Sequence, residues 1–311
     1  MAMPKRLTVF LLVVLGCLFF GISASAEAGL KVRIETSVFP LKEFAASVAG
    51  ERGEVRLLLP PGAGVHTWQP RAMDLIRLAE CDLFIYIGAD LEPWVPDVMR
   101  GLGGRKIETL EAVQGLDLIP GPEDREHGQN GERRGAYDPH VWLDPELAGR
   151  IVDLIKDKLS AIDPEGAFIY QQNAGAYHKK LEALDLKLKS ELGACPSKTF
   201  ILAGHAAFGY LARRYGLEQI ALYGQSPDSQ PTSGRMIDIV GLARKKGIQV
   251  IFYETAVSPD VAKALSRELG AKTLVLNPGH NLTRAEIRTG VDFFDIMEEN
   301  LRNLKDGLGC R

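Results

Sequence analysis

Six histidines are the side chains of this sequence best suited to metal chemistry, and their positions are uneven. His66 follows a Pro60-Pro61-Gly62-Ala63-Gly64 turn and precedes Trp68. His140 sits between two Asp-Pro pairs, in Asp138-Pro139-His140-Val141-Trp142-Leu143-Asp144-Pro145, a stiff and turn-rich segment. His205 follows an apolar run through Gly204. Singly, each such histidine is more often a packing residue than a ligand. Together, two come from the first half of the chain and one from the second, so a cleft between two lobes could gather them. Three neutral imidazoles suit Zn²⁺, with a fourth position for another ligand or water. The spacings that mark a zincin protease, a P-loop or a nucleophile elbow are absent.

The elements around these residues alternate. Lys31–Thr36, Glu54–Leu59 and Asp82–Ile87 read as strands, and Leu41–Ala49 and Pro70–Ala79 as helices, with Pro70 in a first helical turn. The second half repeats the rhythm. Thr199–Ala203, Gln249–Tyr253 and Thr273–Leu276 read as strands, and Ala206–Tyr215, Met236–Lys246 and Pro259–Leu269 as helices. The fold class is therefore α/β: two lobes with mostly parallel sheets. Ligands of such sheets bind beyond the carboxyl ends of the strands, where His66 and His205 fall.

Pro164–Leu192 lies between the halves, with Leu181, Leu184 and Leu188 on one face and Asp163 as a candidate N-cap. As one helix it would span on the order of 43 Å and act as a strut; the alternative is two helices broken near Gly175. The expected organisation is a signal peptide over 1–26, an N-terminal lobe over 27–163, the linking helix over 164–192 and a C-terminal lobe over 193–311.

Lys5 and Arg6, the apolar stretch Leu7–Ile22 and Ser23-Ala24-Ser25-Ala26 read as a cleaved secretory signal, with cleavage after Ala26. Val14-Leu15-Gly16-Cys17 loosely resembles a lipobox, so a lipid anchor on Cys17 is the minority alternative. No later segment reaches 18 uninterrupted apolar residues. Lys5 and Arg6 leave with the signal, so the net charge of −3 becomes −5. An acidic chain with no basic surplus is not expected to bind nucleic acid. At 46% hydrophobic and 25% charged, its 311 residues can bury a core. Export makes pairing among Cys81, Cys195 and Cys310 possible, and three cysteines leave the choice open.

Several motifs resemble the zinc/manganese solute-binding proteins of bacterial ABC importers, the cluster A-I (cluster 9) family. These are Thr36-Ser37-Val38-Phe39-Pro40-Leu41, His66-Thr67-Trp68-Gln69-Pro70, His140-Val141-Trp142-Leu143-Asp144-Pro145, Ala203-Gly204-His205-Ala206-Ala207-Phe208-Gly209-Tyr210 and Phe252-Tyr253-Glu254. The resemblance runs over nearly the whole mature chain. It implies two α/β lobes bridged by one long helix, metal ligands at His66, His140 and His205, and a periplasmic receptor. That receptor would be a non-enzymatic monomer delivering Zn²⁺ to a membrane ABC permease. Imidazole at His205, where manganese receptors of the family often carry Glu, favours zinc. The family's fourth ligand is often an Asp, and here Asn277 stands in its place. His280, three residues on, is a candidate substitute, with water and Asn277 as the other options. Glu254 could orient a histidine or be an ordinary buried carboxylate. The 117–137 segment, with Glu123, Asp124, Glu126 and His127, reads as a solvated loop or a weak capture site. A manganese or iron receptor, a zinc hydrolase using Glu254 as base and a surface adhesin are the rival functions.

Overall fold

The computed structural model describes residues 31–103, 105–121, 137–224, 232–255 and 259–310. The leader, Cys17 and the acidic residues and histidine of 123–127 lie outside them. Residues 32–310 belong to one compact unit.

The first sheet holds β1 (Val32–Thr36), β2 (Gly53–Leu57), β3 (Leu83–Tyr86) and β4 (Glu108–Glu111) in the order β2-β1-β3-β4, all parallel. The second holds β5 (Thr199–Leu202), β6 (Glu218–Ala221), β7 (Val250–Tyr253) and β8 (Lys272–Val275) in the order β6-β5-β7-β8, again parallel. The two lobes thus share one topology. In each, strand order reverses beside the first strand, and the crevice at that switch point opens at the carboxyl ends.

Helices α1 (Phe39–Ala49), α2 (Ala72–Glu80) and α3 (Val95–Gly101) belong to the first lobe. Next come α4 (Pro145–Ile162) and α5 (Ala167–Gly193), packed along each other. The second lobe adds α6 (Gly209–Tyr215), α7 (Ser233–Lys246), α8 (Asp260–Leu269), α9 (Arg284–Thr289) and α10 (Phe293–Leu308).

The linking helix runs unbroken through Gly175 over 27 residues, about 40 Å. Pro164–Gly166 forms a tighter turn ahead of it. Asp163 does not cap this helix; its carboxylate accepts hydrogen bonds from Arg52 at 2.7 and 2.8 Å and from the Tyr170 hydroxyl. A guanidinium outcompetes a backbone N–H for the same oxygens because the bond is charge-assisted and bidentate. Pro70 likewise lies before α2, which starts at Ala72 and is closed by Asp74 accepting from the Arg71 N–H.

One face of α5 buries Tyr170, Ala174, Tyr177, Leu181, Leu184, Leu188 and Leu192. These join Ile34, Phe44, Val48, Phe200, Phe252 and Leu301 in a single core that continues through both lobes. A disulfide between Cys195 and Cys310 ties the end of α5 to the end of α10. Cys81 remains a buried free thiol. Among the described residues, no helix is long and apolar enough to cross a membrane.

Candidate metal centre

Each histidine of interest is placed by a different loop. His66 lies between β2 and α2, past a turn in which the Ala63 N–H donates to the Pro60 carbonyl and Gly62 takes φ +77°. Trp68 anchors the loop edge-on against Trp94. His140 opens the short helical turn Val141–Leu143. Asp144 follows it and caps α4, accepting from the Glu146 and Leu147 N–H groups. The Asp144-Pro145 pair, legible as a turn, is therefore a helix start with proline in the first turn. His205 stands beyond β5 at the switch point of the second sheet. His280 follows β8, in a turn where Gly279 takes φ +73° beside Trp142 and Ile296, a conformation that favours glycine.

The four rings converge. Their centroids are 4.9 to 5.7 Å apart in every pairing. One nitrogen of each lies within 4.8 Å of those of the other three. The Nε2 atoms of His140 and His205 are 3.2 Å apart. Zinc–nitrogen bonds of about 2.0–2.1 Å in a tetrahedron place ligand atoms about 3.3–3.4 Å from one another, so this pair is already at ligand spacing.

Two carboxylates set the tautomers. His140 Nδ1–H donates to Asp138 Oδ1 at 2.6 Å, and that oxygen also accepts the His140 N–H at 2.9 Å. His205 Nδ1–H donates to Glu254 Oε1 at 2.8 Å, and the same oxygen accepts the His205 N–H at 2.7 Å. Both Nε2 atoms then carry lone pairs that face each other, an arrangement that a cation between them relieves. The Nε2 atoms of His66 and His280 are buried without a hydrogen-bond partner. Unpartnered buried nitrogen is costly unless something binds it.

Burial governs the protonation of His66, His140 and His280. It holds His66 well below the ordinary imidazole value of 6.5, helped by the neighbouring His205 and His140. His280 is held well below it for the same reason, with His140, His66 and His205 adding to the effect. His140 is also lowered by burial, against the opposing pull of Asp138. Neutral imidazoles with free lone pairs are the form a metal requires.

The structure thus brings together His66, His140, His205 and His280. The Asn277 side chain serves the turn: its Oδ1 accepts from the Gly279 N–H at 2.9 Å and its Nδ2 donates to Glu286. His178 is remote and half-buried on the linking helix, beside Asp153 at 3.2 Å. Glu254 orients His205 through its ring and backbone hydrogen bonds. Asp138 escapes notice in sequence, although its place two residues before a histidine is the signal for a carboxylate that bonds both the backbone and the ring of that histidine. Gly204 permits the Glu254 contact, since a Cβ there would sit 2.1 Å from Glu254 Oε1.

Two parallel α/β sheets joined by one long helix thus bring imidazoles from both halves of the chain into one cluster that could hold a metal ion. The family described as zinc-uptake complex component A, periplasmic (ZnuA), matches residues 34–307, and the chain belongs to it. Among curated relatives, the chain is 36% identical over 305 residues to the zinc-binding lipoprotein AdcA of Streptococcus pneumoniae serotype 4, covering 97% of this chain and 60% of that protein. It is 35% identical over 301 residues to the high-affinity zinc uptake system protein ZnuA of Bacillus subtilis, covering 96% of this chain and 94% of that one. The crystal structure of the Zn(II)-bound ZnuA-like domain of S. pneumoniae AdcA superposes with a TM-score of 0.77 at 36% identity, covering 89% of this chain and 99% of that domain.

Proposed function

We propose that this protein is an exported zinc receptor that captures Zn²⁺ outside the cytoplasm and hands it to the membrane permease of an ABC importer. The observation that carries the reading is the convergence of four imidazole nitrogens within 4.8 Å, one each from His66, His140, His205 and His280. Four nitrogen ligands fill a zinc tetrahedron without an open position, which suits a carried ion rather than a catalytic one. An all-imidazole set is too soft for Mn²⁺, which prefers oxygen. The ion's double charge is offset by the carboxylates of Asp138 and Glu254, each one hydrogen bond behind a ligand. Relatives named for zinc binding and zinc uptake support the same cargo. Residues 1–26 would be the export signal, with lipidation at Cys17 as the variant route, and the receptor would work as a monomer.

A competition titration of the metal-free protein with Zn²⁺ and Mn²⁺ tests this reading. Zinc should be bound in strong preference to manganese, and His205→Ala should weaken it steeply. Equal affinity for the two metals, or zinc binding untouched in His205→Ala, would overturn it.

A further inference from the structure

The loops that carry His66 and His280 come from opposite lobes, yet hydrogen bonds join them directly. The Gly62 N–H donates to the Leu282 carbonyl at 3.0 Å. On either side, the Phe39 N–H donates to the His280 carbonyl at 2.9 Å, and Trp142 Nε1–H to the Pro278 carbonyl at 2.8 Å. The Asn281 side chain, from the His280 loop, adds two further hydrogen bonds. Its Nδ2 donates to two carbonyls of the His66 loop, Pro60 at 2.6 Å and Ala63 at 3.0 Å. Its Oδ1 accepts from the Leu282 N–H at 2.8 Å, which fixes the amide so that both of its N–H groups face the opposite lobe. The Pro60–Ala63 turn that it grips ends three residues before His66, and Asn281 itself adjoins His280.

The geometry points to Asn281 as an interlobe latch that positions His280 against His66 and slows the release of bound zinc. This rests on the reading of the four-histidine cluster as the zinc site. Zinc held by ligands from both lobes leaves only when the His66 and His280 loops separate, and separation breaks both Asn281 bonds. Capture starts from separated loops, in which those bonds are not yet made. The latch therefore acts on the release rate and leaves the capture rate nearly alone. Asn281 does not touch the metal; it is a positioning residue.

Asn281→Asp keeps the size of the side chain and replaces the Nδ2 donor with an oxygen facing two carbonyls. Stopped-flow transfer of zinc from the loaded full-length protein to a chelator should show release about ten- to thirtyfold faster, the equivalent of two neutral hydrogen bonds. Capture should change by less than about twofold, because the effects of groups that act through one contact separate in this way. In a His280→Ala background, Asn281→Asp should no longer accelerate release, since the latch acts through His280. Asn281→Ala provides the same test without added charge should the Asp variant fold poorly. Unchanged release in both variants, or equal acceleration with and without His280, would overturn the latch. Failure of the unmutated protein to bind zinc at all would instead overturn the site beneath it, so the two failures are distinct.

Discussion

At the scale of single residues, the chemistry depends on which ring nitrogen is free. Asp138 and Glu254 each take up an Nδ1–H and so present Nε2 to the cluster. Because both carboxylates are 3% exposed, solvent replaces neither role. Removing the charge while keeping the shape should weaken the metal without unfolding the chain. Glu254→Gln and Asp138→Asn are each expected to lower zinc affinity by about 10–100-fold, the usual cost of losing a partner behind a metal ligand. Chelator competition on the purified variants checks this, and affinities equal to the parent protein would remove the two carboxylates from the account.

At the scale of elements, the site is made where strands end. His205 and Glu254 leave the carboxyl ends of adjacent parallel strands, β5 and β7, and meet because residue 204 has no side chain. Gly204→Ala must push Glu254 away, so zinc affinity is expected to fall by a factor similar to that of Glu254→Gln, a loss measurable in the same titration. The central strands β3, β5 and β7 were readable because they are largely buried apolar runs, and β1 because Val32 and Ile34 alternate with Arg33 and Glu35. Strands β4 and β6 were not: Glu108-Thr109-Leu110-Glu111 and Glu218-Gln219-Ile220-Ala221 lie at sheet edges, where one flank meets solvent and charge is tolerated. Helices α4 and α10 left clear signals that a turn-centred reading passes over, namely Asp144-Pro145 at one start and the reciprocal Asp292–Asp295 cap at the other. Of the site, His66, His140, His205 and His280 were legible from their loops and motifs. Asp138 and Asn281 were not, because each matters through a contact that only the folded chain supplies.

At the scale of the whole molecule, the lobes share a core along α5, and the Cys195–Cys310 disulfide pins the end of that helix to the end of α10. The disulfide joins residues 115 apart in sequence, neither of which belongs to a histidine motif. Cys195→Ser with Cys310→Ser should cost about 2–5 kcal/mol of stability, seen as a lower melting temperature, with zinc affinity unchanged. The buried histidines impose a pH limit of their own. In the folded, metal-free protein His66, His140 and His280 stay neutral below 6.5, whereas in the unfolded chain they protonate near that value. The unfolded state then binds more protons, so stability is full above about 6.5 and falls as the pH drops below it. Calorimetry of the metal-free protein between pH 7.5 and 5 (roughly the imidazole range) should show the melting temperature declining on the acid side. His66→Phe should reduce that decline.

The central claim is that four imidazoles, two from each lobe, hold one zinc ion. X-ray absorption at the zinc edge of the loaded protein tests it most directly. The expected spectrum has about four nitrogen neighbours at about 2.0–2.1 Å with imidazole scattering beyond them, falling to three imidazoles in His280→Ala. A shell dominated by oxygen or sulfur, or one unchanged in His280→Ala, would contradict it.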